Sequence, residues 1–286
     1  MPRAAHAVSS FVPRVLGSLC LALAALAGAA HAQAIDPAVE ISVGYYEPSF
    51  ETRVRLDSPA FGIGDALDLE RDLLVEDEAQ ELRAELAFRL GQRNRIVFDH
   101  VAFDRSGANT RSETIQFGDV VYAANAELAA RVASEHTSFA WRFSFVRGEV
   151  ADVAVSLGAS WIDVEARLEG TAIATANGVP VGSGAIAERG EASGPVPLAG
   201  LHGRWWLGQR FRVAADARYF DIDDFEGWSG SLVDLGARLD WFFTPNFAVG
   251  LGYASTEIEA DFEDTDSLGA IDYAFDGLRA SVTVAF

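Results

Sequence analysis

Apolar and polar residues alternate along most of the chain after residue 33. Between Val233 and Phe243 every second residue is apolar and the run ends in aromatics, while Asp234, Arg238 and Asp240 lie between them. A period of two is typical of a β-strand with one apolar face. Because one face carries charges and the other carries Trp and Phe, the pattern favours a strand placed between lipid and a polar interior.

Ten segments show this alternation, and the connections between them are short and long in turn. Short periplasmic turns and long extracellular loops are typical of outer-membrane barrels. No run of 18 or more apolar residues follows Ala32, so a closed barrel is the way in which this chain could span a membrane. We therefore predict a closed antiparallel transmembrane β-barrel of ten strands, with eight or twelve fitting less well. The segments are 38–56, 76–91, 94–105, 126–147, 150–170, 193–207, 210–222, 229–243, 246–262 and 270–286.

The first 32 residues have the features of a secretory signal peptide. Arg3 and Arg14 precede or open an alanine-rich apolar stretch that ends in Ala30-His31-Ala32. A basic start, a short apolar stretch and a small-x-small ending predict cleavage after Ala32. We expect residues 33–286 to form a single outer-membrane barrel domain.

Charge narrows the function classes. All 22 basic residues are arginine. The part of the chain after the signal peptide has 20 of them and 42 acidic residues, which gives it a net charge of −22. Nucleic acid is excluded as a partner because its binding needs a basic face. The single cysteine, Cys20, belongs to the signal peptide. The exported chain therefore has no disulfide and no cysteine-based metal site, and we expect no cofactor.

With the apolar face directed to lipid, the other face of each strand points into the barrel. This assignment directs nine arginines and seven acids inward, so the interior is nearly neutral and the excess negative charge lies outside the membrane. We predict an ion-paired lumen, because a guanidinium can bind both oxygens of a carboxylate. The predicted network is Glu40, Glu81, Arg83, Glu85, Arg89, Arg95, Asp99, Arg142, Arg204, Arg212, Asp216, Arg218, Asp234, Arg238, Asp240 and Arg279.

Barrel size favours a filled lumen. Barrels of about eight strands are filled by side chains, whereas those of about 16 or more strands enclose water. Small inward residues on the ninth segment, Ala248, Gly250, Gly252 and Ala254, leave room for long arginines. The filled reading predicts a structural or surface-interaction role. The alternative is a narrow, porin-like channel for small solutes.

Aromatic residues mark two further features. The last segment alternates up to a terminal Phe286, which resembles the signal that outer-membrane barrels present to their assembly machinery. Other aromatics cluster beside the short turns and predict a girdle on the periplasmic side. These are Phe88, Phe143, Phe145, Trp205, Trp206, Phe211, Trp241, Phe242, Phe243 and Phe247.

Candidate chemistry is sparse. His136 and Ser138 resemble the His-x-Ser pair of lipid A deacylases, which makes an outer-membrane hydrolase a third alternative. Both side chains are expected to point into the barrel, and Phe139 replaces the asparagine of that motif. We expect no catalysis. Acidic loops, such as the one containing Asp68, Glu70 and Asp72, offer oxygen ligands for a divalent cation, although no ordered calcium-loop spacing is present.

The chain resembles small proteobacterial outer-membrane barrels of the omptin, OmpW and OmpA size class. It is most similar to uncharacterised members that carry Asp68-Leu69-Glu70-x-Asp72-Leu73 and Ile115-Gln116-Phe117-Gly118-Asp119. The Asp-x-His signature of omptin proteases is missing, because Asp99 and His100 are adjacent. OmpW-like members pass small hydrophobic compounds, but we predict no apolar channel here. The resemblance implies location in the cell outer membrane, with lipid and lipopolysaccharide as partners.

The long connection from Thr171 to Ser193 is rich in Ala and Gly. We expect an irregular loop, and its composition favours a disordered tip; the alternatives are a mobile lid, a segment folded into the barrel mouth, or a contact with another cell or a phage.

Overall fold

Strands make up almost all of the structure, a computed structural model that describes residues 37–58, 62–176, 179–225, 228–262 and 268–286. The predicted signal peptide, residues 1–32, lies outside the described residues. Within this part of the chain no helix is long and apolar enough to cross a membrane. The barrel strands are β1 (Val39–Leu56), β2 (Glu81–Leu90), β3 (Asn94–Thr110), β4 (Glu127–Arg147), β5 (Ala151–Ala176), β6 (Val179–Leu207), β7 (Phe211–Phe225), β8 (Trp228–Phe242), β9 (Phe247–Phe262) and β10 (Leu268–Ala285).

Each strand pairs with the next along the chain in antiparallel fashion, and β10 pairs with β1, which closes the barrel. The closing register sets Tyr45 opposite Ala280. The C-terminus extends this seam, because the backbone N–H of Phe286 donates to the carbonyl oxygen of Val39 at 2.9 Å. The predicted ten-stranded closed barrel is confirmed.

An apolar band surrounds the periplasmic half of the barrel. On β5 the outward apolar residues run from Val153 to Trp161. Nine residues span about 30 Å of strand, and a tilt of about 40° reduces this to about 23 Å, close to the hydrocarbon band of outer-membrane barrels. Tyr45, Tyr219 and Tyr253 lie at the upper limit of the band, each about half-exposed. They form an aromatic girdle on the extracellular side.

Above this band the two faces of the strands exchange character. On β10, Leu278 and Val282 point to lipid, but Asp272 and Asp276 point outward higher on the same strand. The inward residues change in the opposite sense, from Arg279 below to buried aromatics above. Since no membrane surrounds this part, the outer face meets water and the inner face forms an apolar core.

The extracellular half of the lumen therefore holds apolar side chains, whereas we predicted from sequence that an ion-pair network largely occupies the lumen. Buried apolar residues from eight of the strands meet there in one core. A five-residue helix, α1 (Leu69–Leu73), adds Leu69 and Leu73 to it. Two short strands, Ile115–Phe117 and Val120–Tyr122, form a hairpin that adds four more residues. Both motifs that carried the family resemblance thus pack into the extracellular core.

Two smaller predictions are also wrong. Residues 171–176 and 179–193 are not an irregular loop, because they extend the β5–β6 hairpin as paired strands; residues 177–178 lie outside the described part. Trp206 and Phe242 do not belong to a lipid-facing girdle. They point inward and pack together with Ala248 and Ala285 at the periplasmic end. The neighbouring Trp205 and Trp241 do face outward.

Candidate functional site

Arg212 links opposite walls of the lumen. Its guanidinium, only 1% exposed, donates to both oxygens of Glu40 on β1 at 2.8 and 2.6 Å. It also donates twice to Asp240 on the adjacent β8, at 3.0 and 2.8 Å. Glu40 and Asp240 are themselves buried. The guanidinium thus makes four hydrogen bonds, two to each carboxylate, whereas a lysine ammonium has only three N–H donors.

Two other arginines approach the same carboxylates. Arg238 lies 3.0 Å from Asp240, 3.5 Å from Glu40 and 3.7 Å from Glu85. Arg95 lies 3.9 Å from Glu40. Glu40 is therefore surrounded by three guanidinium groups from three strands, which makes it the centre of the network.

Further pairs lie around this centre. Arg83 on β2 donates to both oxygens of Asp99 on β3, at 2.9 and 2.8 Å. Arg218 and Asp234 pair at 3.1 Å between β7 and β8. Another pair, between Arg204 and Asp152, includes an acid that the sequence prediction had not assigned to the network. Beside it, Arg142 reaches the buried His202, with 3.5 Å between Nη1 and Nε2.

The remaining predicted members face the lumen but differ in height. Glu81 lies opposite Tyr46, at the extracellular limit of the layer. Arg89 lies at the periplasmic end of β2 and donates to the carbonyl of Gly91 at 3.5 Å. Asp216 and Arg279 lie in between, facing the inward glycines Gly236 and Gly252.

Glycines on β9 give the arginines and carboxylates their space, as the sequence predicted. A Cβ at Gly250 would lie 2.4 Å from Oδ1 of Asp240, and one at Gly252 would lie 3.0 Å from Nε of Arg279. One cavity within the layer, bordered by Arg83, Asp99 and Arg238, measures about 20 Å³. That volume holds about one water molecule.

Trp206 and Phe242 lie between the ion-pair layer and the periplasm. Their ring centroids are 5.0 Å apart. The Arg212 guanidinium lies 5.0 Å from the centroid of Phe242 and 5.8 Å from that of Trp206, within the range of cation–π contacts. The aromatic pair therefore covers the network on its periplasmic side.

On the extracellular side five aromatic rings lie inside the lumen and form an aromatic plug, defined by Tyr46, Phe50, Phe103, Tyr273 and Phe275. Centroids of neighbouring rings are 5.0 to 6.3 Å apart, as in packed aromatic clusters. Burial raises the pKa of the Tyr273 hydroxyl to about 12. This hydroxyl stays neutral and shares a hydrogen bond with the Ser134 hydroxyl at 2.8 Å.

Arg105 connects the plug to α1, and sequence reasoning missed it. Its guanidinium lies 3.8 Å from the centroid of Phe50. It donates to the Glu70 carboxylate at 2.6 Å, to the Thr52 hydroxyl at 2.8 Å and to the carbonyl of Glu76 at 2.9 Å. Arg105 shares the inward phase of Arg95 and Asp99. Because the predicted third strand ended at residue 105, whereas the strand in the structure continues to Thr110, Arg105 was not counted among the inward residues.

His136 and Ser138 both point inward and are buried, as their phase requires. The His136 ring stacks on Tyr273 with centroids 6.0 Å apart. The Ser138 hydroxyl donates instead to the Ser160 hydroxyl at 3.0 Å. Residues two apart on one strand are separated by about 6.6 Å along it, so this serine is not activated by this histidine.

Arginines and backbone groups occupy the carboxylates of the first acidic loop. Asp68 caps α1 by accepting from the N–H of Arg71 at 3.0 Å, and Asp72 accepts from Arg111 at 2.9 Å. In the described residues no three His, Cys, Asp or Glu side chains are grouped so that they could hold a metal ion. Acidic residues 263, 264 and 266 lie outside the described part.

The closed ten-stranded sheet and its lipid-facing band define a β-barrel protein of the outer membrane, since a closed barrel is how strands cross lipid. No known protein family matches the chain, and no curated protein matches it in sequence.

Three solved barrels have similar structures. The outer-membrane protease OmpT of Escherichia coli has a TM-score of 0.58 and 11% identity, with 88% of this chain and 98% of that chain covered. For the translocator domain of the autotransporter NalP from Neisseria meningitidis the TM-score is 0.42, at 11% identity, 99% and 100% coverage. For Ail, the attachment invasion locus protein of Yersinia pestis, the TM-score is 0.34 and the identity 8%, with 86% of this chain and 98% of that chain covered. At these identities the similarity to OmpT supports the fold alone.

Proposed function

We propose that this protein is a non-conducting outer-membrane barrel whose extracellular half serves as a rigid surface-interaction domain. The observation that supports the proposal is that three layers of side chains lie in series along the lumen. From the periplasm these are the Trp206–Phe242 pair, the ion-pair layer around Glu40, and the aromatic plug. A solute would have to pass all three.

The extracellular wall supplies the surface for such a role. Exposed carboxylates point outward from several strands above the membrane, among them Glu51, Asp163, Glu257 and Asp272. Some are paired, as Arg53 is with Asp272 at 3.5 Å. A folded, acidic wall just above the lipid suits contact with a cationic partner or with lipopolysaccharide bridged by divalent cations.

Single-channel recording in planar bilayers tests the filled lumen. We expect no conductance steps from the wild-type protein, with its folding checked by the heat-dependent shift of the folded band on a gel. Because the layers act in series, Phe50→Ala should remain silent while the ion-pair layer is intact. Combining it with Arg212→Ala and Phe242→Ala should produce steps. Regular steps from the folded wild-type protein would instead support a narrow channel for small solutes.

Catalysis is not part of the proposal, because Ser138 is bonded to Ser160 and His136 is enclosed by aromatic rings. Lipid A from cells expressing His136→Ala or Ser138→Ala should carry the same acyl chains as lipid A from cells expressing the wild type. An acyl-chain difference in mass spectra between them would favour a hydrolase.

We also propose Phe286 as the assembly signal. Its backbone closes the barrel with Ala38 and Val39, with hydrogen bonds of 2.6 to 3.2 Å. Phe286→Ser keeps these backbone bonds and removes the ring. We expect several-fold less protein in the outer-membrane fraction of cells, but unchanged refolding of the purified chain into detergent. An equal loss in refolding would show a structural role instead.

A further inference from the structure

An apolar cavity of about 370 Å³ lies in the extracellular half, beside the aromatic plug. One side is lined by β5 and β6 and the other by β9 and β10. Such a volume falls within the range of ligand pockets, which are apolar with few polar groups. The lining consists mainly of aliphatic side chains and one tyrosine: Ile162, Val164, Val196, Ile258, Ile271 and Tyr273.

The wall beside this cavity is split between β6 and β7. Pairing of these strands ends at Ala199 and Tyr219. Beyond that point β6 continues with β5 as far as Val179, and β7 continues with β8. Beyond Ala199 and Tyr219 these two strands are therefore not paired with each other, in the part where the cavity lies.

Two prolines explain why the pairing stops. Pro195 and Pro197 lie on β6 opposite Trp161 and Ala159 of β5. Proline has no N–H to donate, so a strand that contains it is confined to a sheet edge. Ser193 and Pro195, both exposed, border the cavity as well, so it reaches the outer surface at this edge.

The split begins at the surface of the membrane. On β7, Tyr219 is the last outward apolar residue of the lipid band, and the exposed Asp221 and Asp223 follow it. From this level upward β6 and β7 are unpaired, on the side where Ser193 and Pro195 border the apolar cavity. A headgroup left at the opening would meet these two carboxylates, which disfavours an anionic one.

We propose that the cavity binds the alkyl chain of an uncharged single-chain amphiphile, which enters between β6 and β7. The site lies above the ion-pair layer and is independent of whether the lumen conducts.

Photo-crosslinking of the full-length mature protein in phosphatidylcholine nanodiscs tests the site. The probe is a monoacylglycerol with a diazirine in its chain, and adducts are mapped by mass spectrometry. We expect adducts on Val196, Ile258 or Ile271, and weaker labelling by the corresponding fatty acid anion. Absence of adducts at these positions in the folded wild type would overturn the proposal.

Variants that fill the space sharpen the test. Ala260→Trp and Ala192→Trp enter the cavity from opposite walls. Each should lower the cavity adducts at least about tenfold, because excluding about two methylenes corresponds to a tenfold loss of affinity. The control, Ala237→Trp, adds the same ring on the lipid face. Unchanged labelling in both cavity variants would contradict the site.

A disulfide across the split tests the route. Pro197 and Asp221 would be opposite each other if the β6–β7 pairing continued by two residues. In Pro197→Cys/Asp221→Cys, oxidation should abolish labelling of the cavity and reduction should restore it. Labelling that persists in the oxidised form would refute entry from the bilayer, and would mean that the chain comes from solution through the extracellular mouth.

Discussion

Arg212→Met is expected to lower the free energy of unfolding by about 3–5 kcal/mol, because it leaves Glu40 and Asp240 buried without their main partner. Both carboxylates are at most 5% exposed. Arg238 already approaches both and cannot replace four hydrogen bonds. Urea titration of the barrel in detergent micelles, followed by tryptophan fluorescence, measures the change.

The matched control is Arg53→Met, which removes an arginine from a pair whose side chains are both more than half exposed. Exposed pairs contribute about 0–1 kcal/mol, so this variant should unfold close to the wild type. If the cost of Arg212→Met comes from stranded charge, adding Glu40→Gln and Asp240→Asn should recover part of it. Equal destabilisation in the control, or no recovery in the triple variant, would contradict the central role of this arginine.

Arg105→Met is expected to release α1 and its flanking loop from the barrel, at a similar cost of about 3–5 kcal/mol for the extracellular half. The substitution removes donors to Glu70, Thr52 and the carbonyl of Glu76, and leaves Glu70 in a partly buried site. Because the membrane band is untouched, the barrel should still insert. Hydrogen exchange of residues 67–76 should become at least ten times faster, while that of β9 within the band stays slow.

Adding Glu70→Gln to Arg105→Met should restore part of the protection, since no charge is then left unpaired. If exchange at residues 67–76 is as slow in Arg105→Met as in the wild type, the arginine does not anchor this segment. In that case the hydrogen bond from the backbone N–H of Thr52 to the Glu70 carboxylate, 2.8 Å long, would be the contact that holds α1 on the barrel.

The lower half of the barrel could be predicted from sequence because lipid imposes one rule on every strand. Along Leu278, Ala280, Val282 and Val284 the apolar phase identifies the outer face, and Arg279 follows as an inward residue. The same rule brought together the residues of the Glu40 cluster, although it could not tell which acid each arginine would bind. The choice depends on which side chains meet across the lumen, as Glu40 on β1 and Arg212 on β7 do, and these two strands are not neighbours in the sheet.

The upper half could not be predicted in the same way. Alternation keeps a period of two through Asp272, Tyr273 and Phe275, but which face is inside depends on whether lipid or water surrounds the strand. The level at which lipid gives way to water has only a weak signal in the sequence, such as a change from apolar to charged residues on the outer face. By contrast, Pro195 and Pro197 were readable signals of a sheet edge, and the Ala- and Gly-rich composition of 171–193 concealed a strand pair formed by long-range pairing.

The exchange of faces within single continuous strands has a mechanical consequence. The extracellular core and the transmembrane ring share the same backbones, with no linker between them at Gly277 or Tyr253. Any tilt of the ring in the bilayer must therefore turn the exposed domain through the same angle. The distance of this domain from the lipid is likewise set by the length of the strands, so a partner at the cell surface contacts it at a fixed distance from the membrane.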